Sequence, residues 1–428
     1  MKKSKFIKST LILIIGGFFT KILGMVIRII TNRMLGVEGV GIYMMIMPSF
    51  MLFMALAQLG LPTAISKLVA EEKHDNKALF ISTMPLCLLL NLITLIFMLF
   101  CSGFIANYLL NEPATKIPLM AIGFVLPFIT ISSMLRGYFF GKEKMIVHVL
   151  TNILEDITKL IALIIGIPFF SQFGVEITIV FIILTNILSE LSAIIVFLYL
   201  LPKKIKKEDL VIKKDNVKKV LNIGVPTTLS RLIGSFGYFL EPIILSFLLL
   251  QKGFDNTYII TNYGILSGFV MPILLLPSFF SSAISHALIP VVSKSYSDNN
   301  LIYTKNKIIQ SILISLLIGI PATIIFLIFP NFLLDFLYNT NEGVSYIRIL
   351  APFFIIHYIQ SPIASSLQAM GFAKEAMKGT FFGMLIKTAS LIIFTYLFNF
   401  YGLIISSIIN IIFVTTYQIV CVSKHLNP

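Results

Sequence analysis

The sequence predicts an all-α polytopic membrane protein, with twelve transmembrane helices in two parallel six-helix repeats around a central cavity. Three observations predict it: the composition, twelve long apolar stretches, and basic residues that fall on alternate connections. Of 428 residues, 57% are hydrophobic and 12% charged, with a mean hydropathy of +0.96, whereas a soluble domain is about a quarter charged. A chain of this size folded in water needs a polar shell that this composition does not supply. Soluble enzymes, secreted disulfide scaffolds and disordered proteins are thereby excluded.

Crossing the hydrocarbon takes roughly 20 apolar residues in a helix. Such stretches cover 6–30, 40–66, 78–103, 117–138, 145–170, 175–201, 217–249, 258–290, 308–329, 344–370, 380–398 and 402–422. The first begins like a signal peptide (MKKSKFIKSTLILIIGGFF) but continues through Lys21 and Arg28, so it reads as an uncleaved span. Residues 258–290 carry Pro272, Pro277 and Pro290, which should bend them. The runs are continuously apolar and do not alternate, which disfavours a strand barrel. With these spans, 24 of the 33 Lys and Arg residues fall on one side of the membrane, among them Arg136 at the end of the fourth span. Four fall on the other: Arg33, Lys116, Lys252 and Arg348. The positive-inside rule therefore places both termini in the cytoplasm. The net charge of +14 belongs to this asymmetry and does not imply a nucleic-acid partner.

The longest hydrophilic stretch, PKKIKKEDLVIKKDNVKK (202–219), lies mid-chain. It reads as a basic cytoplasmic linker on the anionic inner leaflet, where each Lys contributes ~1 kcal/mol of attraction. It separates an N-terminal six-helix lobe (1–201) from a C-terminal one (220–428). SSMLRGYFFGKEKM (132–145) lies over ASSLQAMGFAKEAM (364–377), LPTAISK (61–67) resembles IPVVSK (289–294), and TKILG (20–24) matches SRLIG (230–234) by residue class. Segments repeated in the same order indicate a duplicated six-helix unit. Six spans is an even number, so the two copies are parallel, an architecture that suits alternating access around a cavity.

A charge at mid-membrane costs at least ~2.5 kcal/mol and normally faces a cavity or a partner. The cations so placed are Lys21, Arg28, Lys159, Arg231 and Lys387; the acids are Glu155, Asp156, Glu190 and Glu241. The repeat pairs Lys21 with Arg231, and an alignment on FG (173–174) and YG (401–402) pairs Lys159 with Lys387. The five cations are the candidate substrate-binding groups, and the four acids are candidate ion-coupling or counter-charge sites. Glu155, four residues before Lys159, offers that lysine a local neutralising partner. Glu241 offers one to an arginine of a neighbouring helix. Surplus cations in a cavity suit an anion, above all phosphate. Cys87, Cys101 and Cys421 form no disulfide framework, and the five histidines have no ligand spacing. Neither a metal nor a cofactor is expected. Without a folded extramembrane domain or a His and Asp cluster, a membrane-embedded enzyme is disfavoured.

TKILGMVIRIITNRMLGVEGVGIY (20–43), LGLPTAISKLVAE (59–71) and LRGYFFGKEKM (135–145) resemble the stage V sporulation protein B group of oligosaccharide flippases. These belong to the multidrug/oligosaccharidyl-lipid/polysaccharide exporter superfamily, which includes the lipid II flippases. The resemblance implies two six-helix lobes in a V around a central cavity. The implied activity is flipping of an undecaprenyl-pyrophosphate-linked oligosaccharide or peptidoglycan precursor from the inner to the outer leaflet. Thr20-Lys21-Ile22-Leu23-Gly24 matches the basic first-span motif of lipid II flippases with Lys for Arg, so Lys21 inherits its role by resemblance. The next basic residue is displaced to Arg28. The arginines of their second span are absent from MLFMALAQLG (51–60), and such flippases usually have fourteen spans. Expected partners are thus an anionic lipid-linked saccharide and the bilayer, with envelope-assembly proteins a further possibility and a monomer sufficient. The alternative within the superfamily is a cation-coupled multidrug exporter, which would use the acids. A non-transporting envelope scaffold is a third class.

Overall fold

The computed structural model describes residues 2–71, 76–201 and 214–426, with side chains left undescribed at 2–15, at 76–78 and at Ser230. Most of the basic linker, 202–213, lies outside the described residues. The helices are α1 (Lys2–Gln58), α2 (Leu61–Ala70), α3 (Asn76–Phe104), α4 (Lys116–Gly141), α5 (Met145–Phe170) and α6 (Val175–Leu200). They continue as α7 (Lys214–Gln251), α8 (Asn256–Gly264), α9 (Met271–Leu275), α10 (Ser278–Ser297) and α11 (Leu301–Ile328). The last are α12 (Pro330–Tyr338), α13 (Val344–Ala369), α14 (Ala373–Phe398) and α15 (Tyr401–Leu426). No strand occurs among the described residues.

Ten helical segments among the described residues are long and apolar enough to cross a membrane. The first of them, Gly16–Ala70, covers two of the expected spans. No loop separates those two. The chain turns instead at Gly36 (φ 66°, ψ −179°), a conformation that glycine alone adopts without strain. Helix α5 is missing from the ten because Glu155, Asp156 and Lys159 sit within one and a half turns of it. The expected span 258–290 is broken, as its prolines require. A π-helical stretch, Ile265–Val270, follows α8, and a turn at Leu276–Pro277 separates α9 from α10. Pro290 is accommodated inside α10.

The chain divides into two compact units, Met1–Phe239 and Leu240–Pro428, with α7 running through the division. In the first unit α4 is the central helix, packed against α2, α3 and α6. A core of Leu61, Ile65, Val69, Leu135, Phe139 and Phe197 is built around it. Glycines bring the backbones together. A Cβ at Gly137 would lie 2.5 Å from Pro62 O, and one at Gly141 would lie 2.6 Å from Ser66 O. The break between α1 and α2, with Leu59 and Gly60 both at positive φ, lets α2 approach α4 this closely. A Cβ at Gly224 of α7 would lie 2.5 Å from Leu59 O. Elsewhere α5 meets α6 where Phe170 stacks on Phe181, 4.3 Å between ring centroids.

In the second unit α13 is central, against α10, α11 and α15, and α14 pairs with α15. Gly319 of α11 sits under the Tyr358 ring, whose hydroxyl donates to Leu274 O at 2.8 Å. His425 lies 3.0 Å from Glu375 and stacks on Phe372, fastening the end of α15 to the start of α14. The repeated segments 132–145 and 364–377 each run from the central helix of a unit across the turn that follows it. Outside these cores the helices present large apolar side chains, such as Phe100, Ile165, Leu317 and Tyr396. That surface suits hydrocarbon.

The close glycine approaches predict a stability effect. Gly137→Ala and Gly224→Ala should each destabilise the purified protein by about 1–3 kcal/mol, the usual cost of overpacking. Gly17→Ala and Gly234→Ala, where an added Cβ meets nothing within 4 Å, should leave it unchanged. Thermal unfolding in detergent checks the contrast.

Candidate functional site: two cationic cavities and a charge network

Two cavities of interest open among the described residues of the first unit. One of about 250 Å³ is lined by Gly24, Ile27, Arg28, Thr31, Asn32, Tyr43, Met44, Met47, Met51, Lys159, Ile182 and Tyr238. Arg28 and Lys159, from α1 and α5, thus share one cavity. Lys159 Nζ donates to the neutral Asn186 Oδ1 at 2.8 Å, and Asn186 is held by its own donation to Ile183 O at 2.7 Å. Arg28 Nη2 reaches Met44 Sδ at 4.0 Å. Among the described residues its lining contains no carboxylate.

The second cavity, about 420 Å³, is lined by Gln58, Pro62, Thr63, Ser66, Ser133, Arg136, Gly137, Phe140, His148 and Arg231. Gln58 ties its walls together, donating to Ser133 Oγ at 3.1 Å and accepting from Arg231 Nη1 at 3.4 Å. It too has cations and, among the described residues, no carboxylate in its lining. Helix α5 contributes His148 to one cavity and Lys159 to the other, eleven residues apart, or ~16 Å along the axis.

Between these positions lies a charge network. Arg136 Nη2 of α4 forms an ion pair with Glu155 Oε1 of α5 and lies 3.9 Å from Glu190 Oε2 of α6. Ser132 Oγ also donates to Glu155, at 3.3 Å. Arg136 Nε, His148 Nδ1 and Glu190 Oε2 are buried without a hydrogen bond among the described residues. The local Glu155–Lys159 pairing open to the sequence is not the one formed. Glu155 turns to the arginine of α4, and Lys159 takes Asn186. A guanidinium offers a fork of donors that an i+4 lysine lacks, and charge-assisted bonds of that kind are the stronger ones.

The remaining candidates lie apart from the two cavities. Lys21 is exposed on α1 and lines neither of them. Asp156 is half-buried on α5, beside Glu155. In the second unit, Lys387 of α14 is ion-paired with the buried Glu241 of α7. The partner of Glu241 is therefore a lysine, where the sequence offered an arginine.

Arg136 is the site residue that sequence reasoning missed. It stands near the end of an apolar span, where a solvated helix end is expected, but α4 continues to Gly141. The available signal was the surplus of acid on α5 and α6, which required a cation from another helix. No group of three or more His, Cys, Asp or Glu is placed to hold a metal among the described residues. Cys87, Cys101 and Cys421 are free thiols.

The Lys387–Glu241 pair predicts a test. Lys387→Ala leaves a buried carboxylate uncompensated and should cost about 3–5 kcal/mol. Adding Glu241→Gln to that variant should recover most of the loss, as read by thermal unfolding of the two purified variants.

Comparison with known proteins places the chain. The model of the family described as "Polysaccharide biosynthesis protein" matches residues 6–296, and the model described as "MatE" matches 263–393. The chain is 35% identical to stage V sporulation protein B of Bacillus subtilis (strain 168) over 91% of its own length and 77% of that protein's. It is 20% identical to lipid II flippase MurJ of the same organism, over 99% of this chain and 83% of that one. A structure titled as the inward-facing conformation of a multidrug resistance MATE family transporter of the MOP superfamily superposes with a TM-score of 0.73. It is 18% identical, covering 95% of each chain, a likeness of fold. Helical fold, apolar surface and sequence together identify a multi-pass membrane protein that belongs to the polysaccharide biosynthesis protein family.

Proposed function

We propose that this protein flips an anionic lipid-linked saccharide, an undecaprenyl-pyrophosphate-linked oligosaccharide or peptidoglycan precursor, from the inner to the outer leaflet of a bacterial plasma membrane. The observation that carries this reading is the first cavity, where Arg28 and Lys159 face a common space with no carboxylate in its lining among the described residues. Arg binds phosphate in bidentate fashion and Lys as a point charge, so the pair fits a diphosphate. The names of the relatives, a sporulation protein and a lipid II flippase, support the same substrate class. The membrane potential, inside negative, favours outward movement of an anion by ~2.3 kcal/mol per charge per 100 mV. In this reading the protein is a transporter and no bond is broken.

Movement proceeds by alternating access between two six-helix lobes, 1–201 and 220–428, joined by the 202–219 linker. Twelve spans cross the membrane, with both termini in the cytoplasm, and a monomer suffices. Lys21, Arg231 and Lys387 serve the same headgroup at other stages of the movement. The acids Glu155, Asp156, Glu190 and Glu241 act as counter-charges. A cation-coupled multidrug exporter, the alternative that the MATE-like fold keeps open, would instead need acids lining the cavity.

Equilibrium binding to the purified protein tests this. The undecaprenyl-pyrophosphate-linked glycan should bind better than a hydrophobic cation. Lys159→Gln, which removes the charge and keeps a donor for Asn186, should weaken the glycan by roughly tenfold, the ~1.4 kcal/mol of one charge-assisted bond. Preference for the cation, untouched by Lys159→Gln and by Arg28→Gln, would reverse the assignment in favour of the exporter.

A further inference from the structure

The second cavity has no role in the reading above beyond the presence of Arg231, yet it is built from polar groups. Arg136 and Arg231 line it together with Gln58, Ser133 and His148. Arg231 is exposed and already bridged to Gln58. The state of Arg136 is different, because its Nη2 is engaged by Glu155 while its Nε is buried with no hydrogen bond among the described residues. Glu190 Oε2, 3.9 Å away, is buried and likewise unbonded. One guanidinium therefore faces a cavity on one side and two carboxylates on the other, and it satisfies them incompletely.

We propose that this cavity is a second phosphate-binding station, with Arg136 and Arg231 as its ligands, and that Glu155 sets its affinity by holding Arg136 back. The proposal rests on the flippase reading for its substrate, a diphosphate headgroup, and adds to it a site and a control. In the empty station Arg136 belongs to Glu155. A diphosphate entering beside Arg231 competes for the same guanidinium and offers it two anionic oxygens in the fork geometry that arginine prefers. Transfer of Arg136 to the ligand leaves Glu155 and Glu190 facing each other without their shared cation, a cost that keeps the station from binding too tightly to release. The charged groups facing the network are Arg136 from α4, His148, Asp156 and Lys159 from α5, and the two glutamates themselves. Lys159 of α5 and Arg28 of α1 line the other cavity, ~16 Å away along the axis of α5. The headgroup thus has a place to go when it leaves.

The test uses signs in place of simple loss. Two probes are titrated calorimetrically into the full-length protein in detergent: inorganic pyrophosphate, a free diphosphate, and farnesyl pyrophosphate, a lipid one. Arg136→Gln should weaken both probes by roughly tenfold. Glu155→Gln should tighten them by a comparable factor, because Arg136 is released to the ligand. The double variant Arg136→Gln/Glu155→Gln removes both partners of the ion pair and should bind as weakly as Arg136→Gln. Should Glu155→Gln fail to fold, Glu155→Asp, with its shorter reach to Arg136, carries the same expected sign. If the ion pair merely holds α4 to α5, loss of either partner weakens binding, and that result overturns the proposal. Absence of binding by both probes to the unaltered protein overturns it as well. Equal affinity for the two probes assigns the station to free diphosphate chemistry, and preference for the farnesyl probe assigns it to the lipid-linked form. Unchanged glycan binding in Arg28→Gln and Lys159→Gln would count against the flippase reading alone and would leave the opposite signs at Arg136 and Glu155 intact.

Discussion

The ion pair between Arg136 and Glu155 is the interaction around which the first unit is arranged. In hydrocarbon an ionised side chain is stable only with a partner or beside a water-filled space. Helices α4, α5 and α6 carry Arg136, Glu155, Asp156, Lys159 and Glu190 within the apolar part of the fold. With Glu155 held by α4, Lys159 is left to the neutral Asn186. A lysine bonded to a neutral amide forms no ion pair with that partner, whereas one bonded to a carboxylate does. The same pair places Arg136 at the wall of the second cavity. Its geometry in turn requires α4 at the centre of the unit, and the close approach of α2 at Gly137 and Gly141 secures that.

The two units meet the same constraint differently. In the second, the intramembrane lysine Lys387 is matched directly by the buried Glu241. In the first, Arg28 and Lys159 line one cavity and Arg136 and Arg231 another. For folding alone, a replacement of the Lys387–Glu241 pair by apolar residues would be tolerable, as buried pairs often are. The cations of the first unit have no such equivalent, because their use lies in the cavities they line. Fold likeness to multidrug transporters is therefore compatible with a different cargo, since function follows the chemistry of the cavity walls and not the helix arrangement.

Much of the fold was legible in the sequence, because lipid as solvent writes itself into hydropathy over windows of some 20 residues. The prolines announced the broken segment between α8 and α10. The kink at Gly36 was not announced, since a glycine in a helical run has many readings. The Leu59–Gly60 break was hidden for a different reason. A positive φ at Leu59 comes from the packing of α2 on α4, and nothing local to Leu59 asks for it. At the site, the residue types were legible and the pairings were not. Arg28 and Lys159 stand far apart in the chain, and only the tertiary fold brings them to one cavity. Glu155 and Lys159 satisfied a local helix rule, but a guanidinium from another helix outcompeted it. Arg136 was read as a solvated helix end because it lies near the boundary of an apolar run, and its true surroundings come from two helices downstream.

The central claim, that the cationic walls of the first unit carry an anionic headgroup across the bilayer, is tested most directly by transport. The protein would be reconstituted into vesicles holding a fluorescent undecaprenyl-pyrophosphate-linked glycan in one leaflet, and its appearance in the other followed under an imposed membrane potential. The account predicts that flipping is faster toward the positive side, that reversing the potential reverses the preference, and that a charge-neutral lipid-linked glycan shows neither effect. Glycan movement indifferent to the potential, together with protein-dependent movement of a lipophilic cation, would contradict it.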